Sequence, residues 1–233
     1  MNNREASDRI AEYTNELLER LFGCRIENCT VYADGAYVCI YIHGFLTSME
    51  EVLLKDGHLD VVRAARRQII SALMPELRGV IQMVMDSPVD RWFDDWSYTN
   101  NTGMLLLELQ NKRPDRGEGE VTHPFYAAEL KSEVSRLSAL VEKVPDRIET
   151  RELHADVVLV VRRGLLVPIE KALHRKGFDH ELLMTKEELE KSSFHHNGTF
   201  SDIFRRPVND IFFDWRLAED IGVIVFMLNR QNM

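Results

Sequence analysis

Long apolar runs are missing from this chain. The longest, residues 157–161 and 221–228, fall far short of the ~20 residues that a membrane-crossing helix requires. Cysteine is scarce: Cys24, Cys29 and Cys39 make an odd set with no Cys-x-x-Cys pair. That excludes a disulfide scaffold and fits reduced thiols. Positive charge is also short, with 29 Lys and Arg against 38 Asp and Glu, a net charge of −9. A general nucleic-acid binder needs a basic face to neutralise phosphates, so nucleic acid is not an expected partner. The local run Arg63, Arg66, Arg67 reads as a solvated helix face. No phosphate-cradling loop is present, because Gly117 and Gly119 sit in a polar linker with no helix start behind them. Residues 1–9 mix acidic, basic and polar side chains, unlike a signal peptide, and the expected location is cytoplasmic.

What the chain does have is an internal duplication. Residues 89–109 return as residues 208–228: Val89/Val208, Phe93/Phe212, Trp96/Trp215, Gly103/Gly222 and Leu109/Leu228 coincide at an offset of 119. Residues 35–50 return as residues 155–170 at an offset of 120, with Val38/Val158, Gly44/Gly164, Leu46/Leu166 and Glu50/Glu170 identical. Two echoes in one order and at nearly one spacing mark a repeated unit. We therefore expect a first repeat over 1–110, a linker over 111–124 and a second, diverged repeat over 125–233.

Each repeat reads as helix, hairpin, one or more helices, hairpin. The predicted elements of the first are a helix over 7–22 with Ser7 as its cap, and a hairpin turning at Asp34-Gly35. A short helix capped by Thr47 or Ser48 follows. Then comes a long helix over 59–85 with an inner stripe of Val62, Arg66, Ile69, Leu73, Leu77, Val80 and Val84. Pro75 should kink or split it. In the second repeat a helix is expected over 125–144. Thr185 with Glu188 resembles a capping box, so a fresh helix should start there. The fold class is α+β: antiparallel sheets with helices packed on one face.

Candidate chemistry is thin. Cys24, Cys29, Cys39 and His43 carry zinc-type ligands, but lack a knuckle and are not repeated, so buried thiols are the simpler reading and no metal is expected. His174, His180, His195 and His196 lack the i, i+4 spacing of a helical metal pair and read as a solvated loop. Asp94 and Asp95 are adjacent on a strand and face opposite ways, so they do not converge for acid–base work. Asp95 and Asp214 recur before a turn and read as structural aspartates bonding turn amides. Neither Thr47 nor Ser97 has a histidine partner at a recognisable spacing. No catalytic residue and no cofactor is expected, and an enzyme is disfavoured.

The series Gly44-Phe45-Leu46-Thr47-Ser48-Met49-Glu50, then Arg66-Arg67 and Pro75-Glu76-Leu77, then Asp95-Trp96-Ser97 with Gly103, resembles the bacterial family named for the Na⁺-translocating, membrane-potential-generating system protein MpsC. The first repeat resembles the whole family unit. The second does so through Gly164, Pro168, Asp214 and Gly222, with Val167 where the first has Thr47. The resemblance implies a tandem form, a link to ion or bicarbonate translocation, and Thr47, Arg67, Asp95, Ser97 and Asp214 as ligand-binding candidates. The expected function is a soluble accessory or regulatory protein without catalysis of its own. The alternative is a small-ligand-binding module with a pocket between the repeats. The expected associations are intramolecular pairing of the repeats as a pseudo-dimer, homo-oligomerisation, and a membrane transport protein.

Overall fold

The computed structural model describes residues 3–23, 26–111 and 125–229. The chain divides into two compact units, Met1–Asp115 and Arg116–Met233. The linker expected over 111–124 lies, apart from Asn111, outside the described residues.

The first unit runs α1 (Asn3–Phe22), β1 (Asn28–Ala33), β2 (Tyr37–His43), α2 (Ser48–Lys55), α3 (Leu59–Met85), β3 (Val89–Ser97) and β4 (Thr102–Leu109). Its antiparallel sheet has the order β1-β2-β4-β3. The second unit repeats the plan: α4 (Ala127–Val141), β5 (Arg147–His154), β6 (Val157–Arg163), α5 (Pro168–Arg175), α6 (Asp179–Asn197), α7 (Phe200–Phe204), β7 (Val208–Arg216) and β8 (Ile221–Leu228). Its sheet order is β5-β6-β8-β7. The class is α+β, and Trp96 and Trp215 occupy equivalent strands, opposite Gly103 and Gly222.

Local chemistry sets the hairpins. Gly35 takes φ 83°, which only glycine adopts cheaply, and the Asp34 carboxylate accepts the Ala36 and Tyr37 amides at 3.0 and 2.9 Å. Strand alternation then sends Val38, Ile40 and Ile42 into a core with Ile10, Leu73 and Leu77 from the helices. The helix-free face of the same sheet carries Tyr37, Cys39, Tyr41, Phe93, Met104 and Leu106, together with Arg91, Asp95 and Glu108. The second unit has its own core, with Leu137, Val158, Val160, Phe194 and Phe226 among its members.

Several expected details differ. Helix α1 starts before Ser7, which is an interior residue, not a cap. Pro75 lies inside a continuous 27-residue α3. Pro75 and Ser71, whose carbonyl it cannot satisfy, are both exposed, so the unmade bond is not buried. The buried stripe of α3 passes through Ile70, Met74 and Ile81 instead of Ile69, Val80 and Val84. Thr185 does not start a helix. It sits inside α6 and returns its hydroxyl to the Glu181 carbonyl at 2.8 Å, satisfying itself within the helix. His195 and His196 belong to the last turn of α6, not to a loop. Helix α4 is shorter than expected at both ends.

Gly103 is fixed by contact. A Cβ there would lie 2.2 Å from Cζ3 of Trp96. Gly103→Ala is therefore expected to push the indole off its seat and destabilise the first unit by about 1–3 kcal/mol, as overpacking does. Its denaturant midpoint measures this, and an unchanged midpoint would show that the indole can yield.

Candidate functional site

Both units bury a cation at the same place, behind the junction that follows their second strand. In the first, Gly44 ends β2 at φ 67° and the chain turns under the β3–β4 hairpin. Asn101, left-handed at φ 51°, anchors this turn: its carbonyl oxygen accepts the Gly44 amide and its side-chain oxygen the Leu46 amide, both at 2.9 Å. Thr47 then caps α2. Its hydroxyl accepts the Glu50 amide at 3.1 Å, and Glu50 returns to the Thr47 amide at 2.9 Å, a capping box. This fixes the Glu50 carboxylate toward α3, where Arg66 meets both its oxygens at 2.6 Å.

The Arg66 side chain is 1% exposed. Its guanidinium lies 4.1 Å from the Phe45 ring centroid, 4.5 Å from Phe22 and 4.6 Å from Trp96. Three ring faces and a carboxylate replace the water that a buried cation loses.

The second unit keeps the position and changes the chemistry. Asp220, at φ 52°, replaces Asn101 and accepts the Leu165 and Leu166 amides at 2.7 and 2.9 Å. Burial would raise the Asp220 carboxyl, but the Leu166 amide and Lys171 outweigh it and hold the group below its ordinary value. Lys186 stands where Arg66 stands, Glu170 replaces Glu50, and Glu142 takes the place of Phe22. The Lys186 amine donates to Glu142 and, at 3.1 Å, to Glu170, with the Trp215 ring 6.0 Å away. A second buried pair is added. Arg162 and Glu190, both 0% exposed, bond at 3.0 and 2.7 Å, and Arg162 also donates to Ser138 at 3.2 Å. The first unit has the buried pair Ile42 and Ile70 at these two positions.

Of the residues singled out from the sequence, Thr47 is in the box, as the cap that positions Glu50. Arg67 is half-buried on α3, and its neighbour Arg66 is the one that enters. Ser97 accepts the Asn100 amide within the hairpin at 3.4 Å. Asp95 and Asp214 each accept the next residue's amide, of Trp96 and Trp215, at 2.7 Å. Those are strand amides; the turns are bonded by Asn101 and Asp220. Glu50, Asn101, Lys186 and Glu190 escaped notice, although Glu50/Glu170 was already visible as an identity between the repeats.

Cys29 and Cys39 alternate onto opposite faces of the first sheet, so they do not converge, and Cys24 lies outside the described residues. Burial pushes both thiols up to about 12, leaving them protonated and poor ligands or nucleophiles. Among the described residues, no group of three or more His, Cys, Asp or Glu is arranged to hold a metal ion. His174 pairs instead with Asp179 at 2.7 Å, and His196 with the Ser192 carbonyl at 2.8 Å. A surface hollow of about 350 Å³ lies between α1 and α3, lined by Arg9, Glu12, Tyr13, Glu16, Val80 and Met83.

Two α+β repeats, each closed over a buried cation, define the class. The family described as the Na⁺-translocating membrane potential-generating system, MpsC, matches residues 2–111 and again residues 125–230. The chain belongs to this family, in tandem form. No curated protein and no solved structure matches it. Membership suggests a role in a Na⁺-linked membrane-potential system. No helix among the described residues is long and apolar enough to cross a membrane.

Proposed function

We propose that this protein is a non-catalytic accessory component of a membrane-potential-generating system, working from the cytoplasmic side beside a membrane transport protein. The observation that carries the reading is the family match over both repeats. The burial of the strongest ionic groups supports it. Arg66, Lys186 and Arg162 are sealed in cores at 3% exposure or less, where they order the fold and meet no substrate. A route for ions needs a spanning structure, and the described helices supply none. Nucleic acid is not a partner on this reading, given the net charge of −9.

The test is recovery of the full chain with native membranes after mild cross-linking, together with the Na⁺-dependent membrane potential of vesicles with and without the protein. Recovery with one transport protein and a changed potential are expected. A chain that stays in the soluble fraction and leaves the potential unchanged would overturn the proposal.

The pairing expected from the duplication is tested separately. A fragment of residues 1–112 retains its own core but also the helix-free face of its sheet, where Cys39, Phe93, Met104 and Leu106 form an apolar centre that favours cover. We expect the fragment to dimerise or aggregate in sedimentation. A stable monomer with the melting temperature of the full chain would show that this face needs no cover.

A further inference from the structure

The buried cluster of the second repeat is out of charge balance. Three carboxylates, Glu142, Glu170 and Glu190, meet two cations, Lys186 and Arg162, one negative charge in excess. The Glu142 side chain is 2% exposed and that of Glu190 0%, so of the three carboxylates only Glu170, at 12%, reaches water. One oxygen of Glu142, Oε2, is buried without a donor. An ionised carboxylate brings a full charge to this donor-less place, whereas a proton on Glu142 removes the excess. Glu142 is also the C-cap of α4, where the helix dipole opposes negative charge.

We propose that this cluster is a proton-binding site, in which Glu142 holds one proton, and that release of the proton loosens the seam where the end of α4 meets α5 and α6. The charged groups facing Glu142 come from each neighbouring element. Glu170 lies on α5, Lys186 and Glu190 on α6, and Arg162 on β6, paired with Glu190. Lys186 favours the ionised form. Burial and Glu190 oppose it and prevail, so the Glu142 carboxyl is pushed up to about 8. On release the proton passes to water and Glu142 is left as a carboxylate beside Glu190. The first repeat has no counterpart, because Phe22, Ile42 and Ile70 replace Glu142, Arg162 and Glu190. The device therefore belongs to the diverged repeat alone.

The sign of the pH dependence follows. In the unfolded chain Glu142 returns to its ordinary value of 4.5, so the folded form holds the proton more tightly. This contribution to stability is complete below about pH 4.5. It is lost as pH rises, with the folded-to-unfolded ratio falling about tenfold per pH unit until pH about 8. The experiment is a carboxyl-carbon NMR titration of the full chain labelled with ¹³C-glutamate, from pH 5 to 10. One glutamate is expected to titrate with a midpoint near 8, and to be absent from Glu142→Gln, which keeps the shape of the protonated acid. Amide protection factors at the end of α4, taken relative to intrinsic exchange at each pH, should fall above that midpoint in the wild type and stay flat in the variant. The wild-type titration decides the question even if the variant folds poorly: with every glutamate titrating below pH 6, Glu142 holds no proton. A high-pH titration that survives in well-folded Glu142→Gln would equally overturn the assignment.

Discussion

Replacing Arg162 or Glu190 alone by isoleucine is expected to cost the second repeat about 3–5 kcal/mol, whereas the double replacement should restore most of that loss or exceed the wild type. The two side chains are 0% exposed and bonded through the two terminal guanidinium nitrogens at 3.0 and 2.7 Å. Removing one leaves an uncompensated charge in an apolar interior. Removing both deletes the charge and its desolvation together. The first repeat shows that the site accepts hydrocarbon, since Ile42 and Ile70 fill the same two positions at 0% exposure. Urea unfolding of the four proteins in a double-mutant cycle measures the coupling. A double variant as unstable as the sum of the singles would mean that the pair holds the repeat together by more than mutual charge compensation. The double variant also removes the neighbour of Glu142, so its stability should vary less between pH 6 and 9.

Arg66→Met is expected to destabilise the first repeat by about 3 kcal/mol, near the lower end for a broken buried pair. Glu50 loses its cation but is 11% exposed at its side chain, so water recovers part of the cost. The rings of Phe22, Phe45 and Trp96 lose the cation they surround. Arg66→Lys copies the second repeat and should cost less, about 1–2 kcal/mol, because an ammonium keeps the charge but lacks the planar fork that stacks between rings. Trp96 fluorescence during urea unfolding measures both, and equal stability of Arg66→Met and wild type would remove the box as a stability element.

The family and the tandem plan were legible because they rest on local and periodic signals: Gly44 and the Asp34-Gly35 turn are demanded by backbone geometry, and alternation assigns the faces of β2 without knowledge of its neighbours. The enclosure of Arg66 was not legible. Glu50, Arg66 and Trp96 are widely separated in the chain, and Arg66 read as part of a solvated basic run beside Arg63 and Arg67. Only the crossing of α3 behind β3 shows that one of these arginines is enclosed by rings.

By itself, then, the sequence determined the duplicated α+β unit, its turns and its strand faces, since each of these follows from φ preferences and the two-residue and 3.6-residue periods. Tertiary structure decided which charges are buried and how they pair. The free energy of a buried charge depends on what replaces its water, and those partners arrive from distant elements: Phe22 and Glu50 around Arg66, Glu142 and Glu170 around Lys186, Glu190 against Arg162.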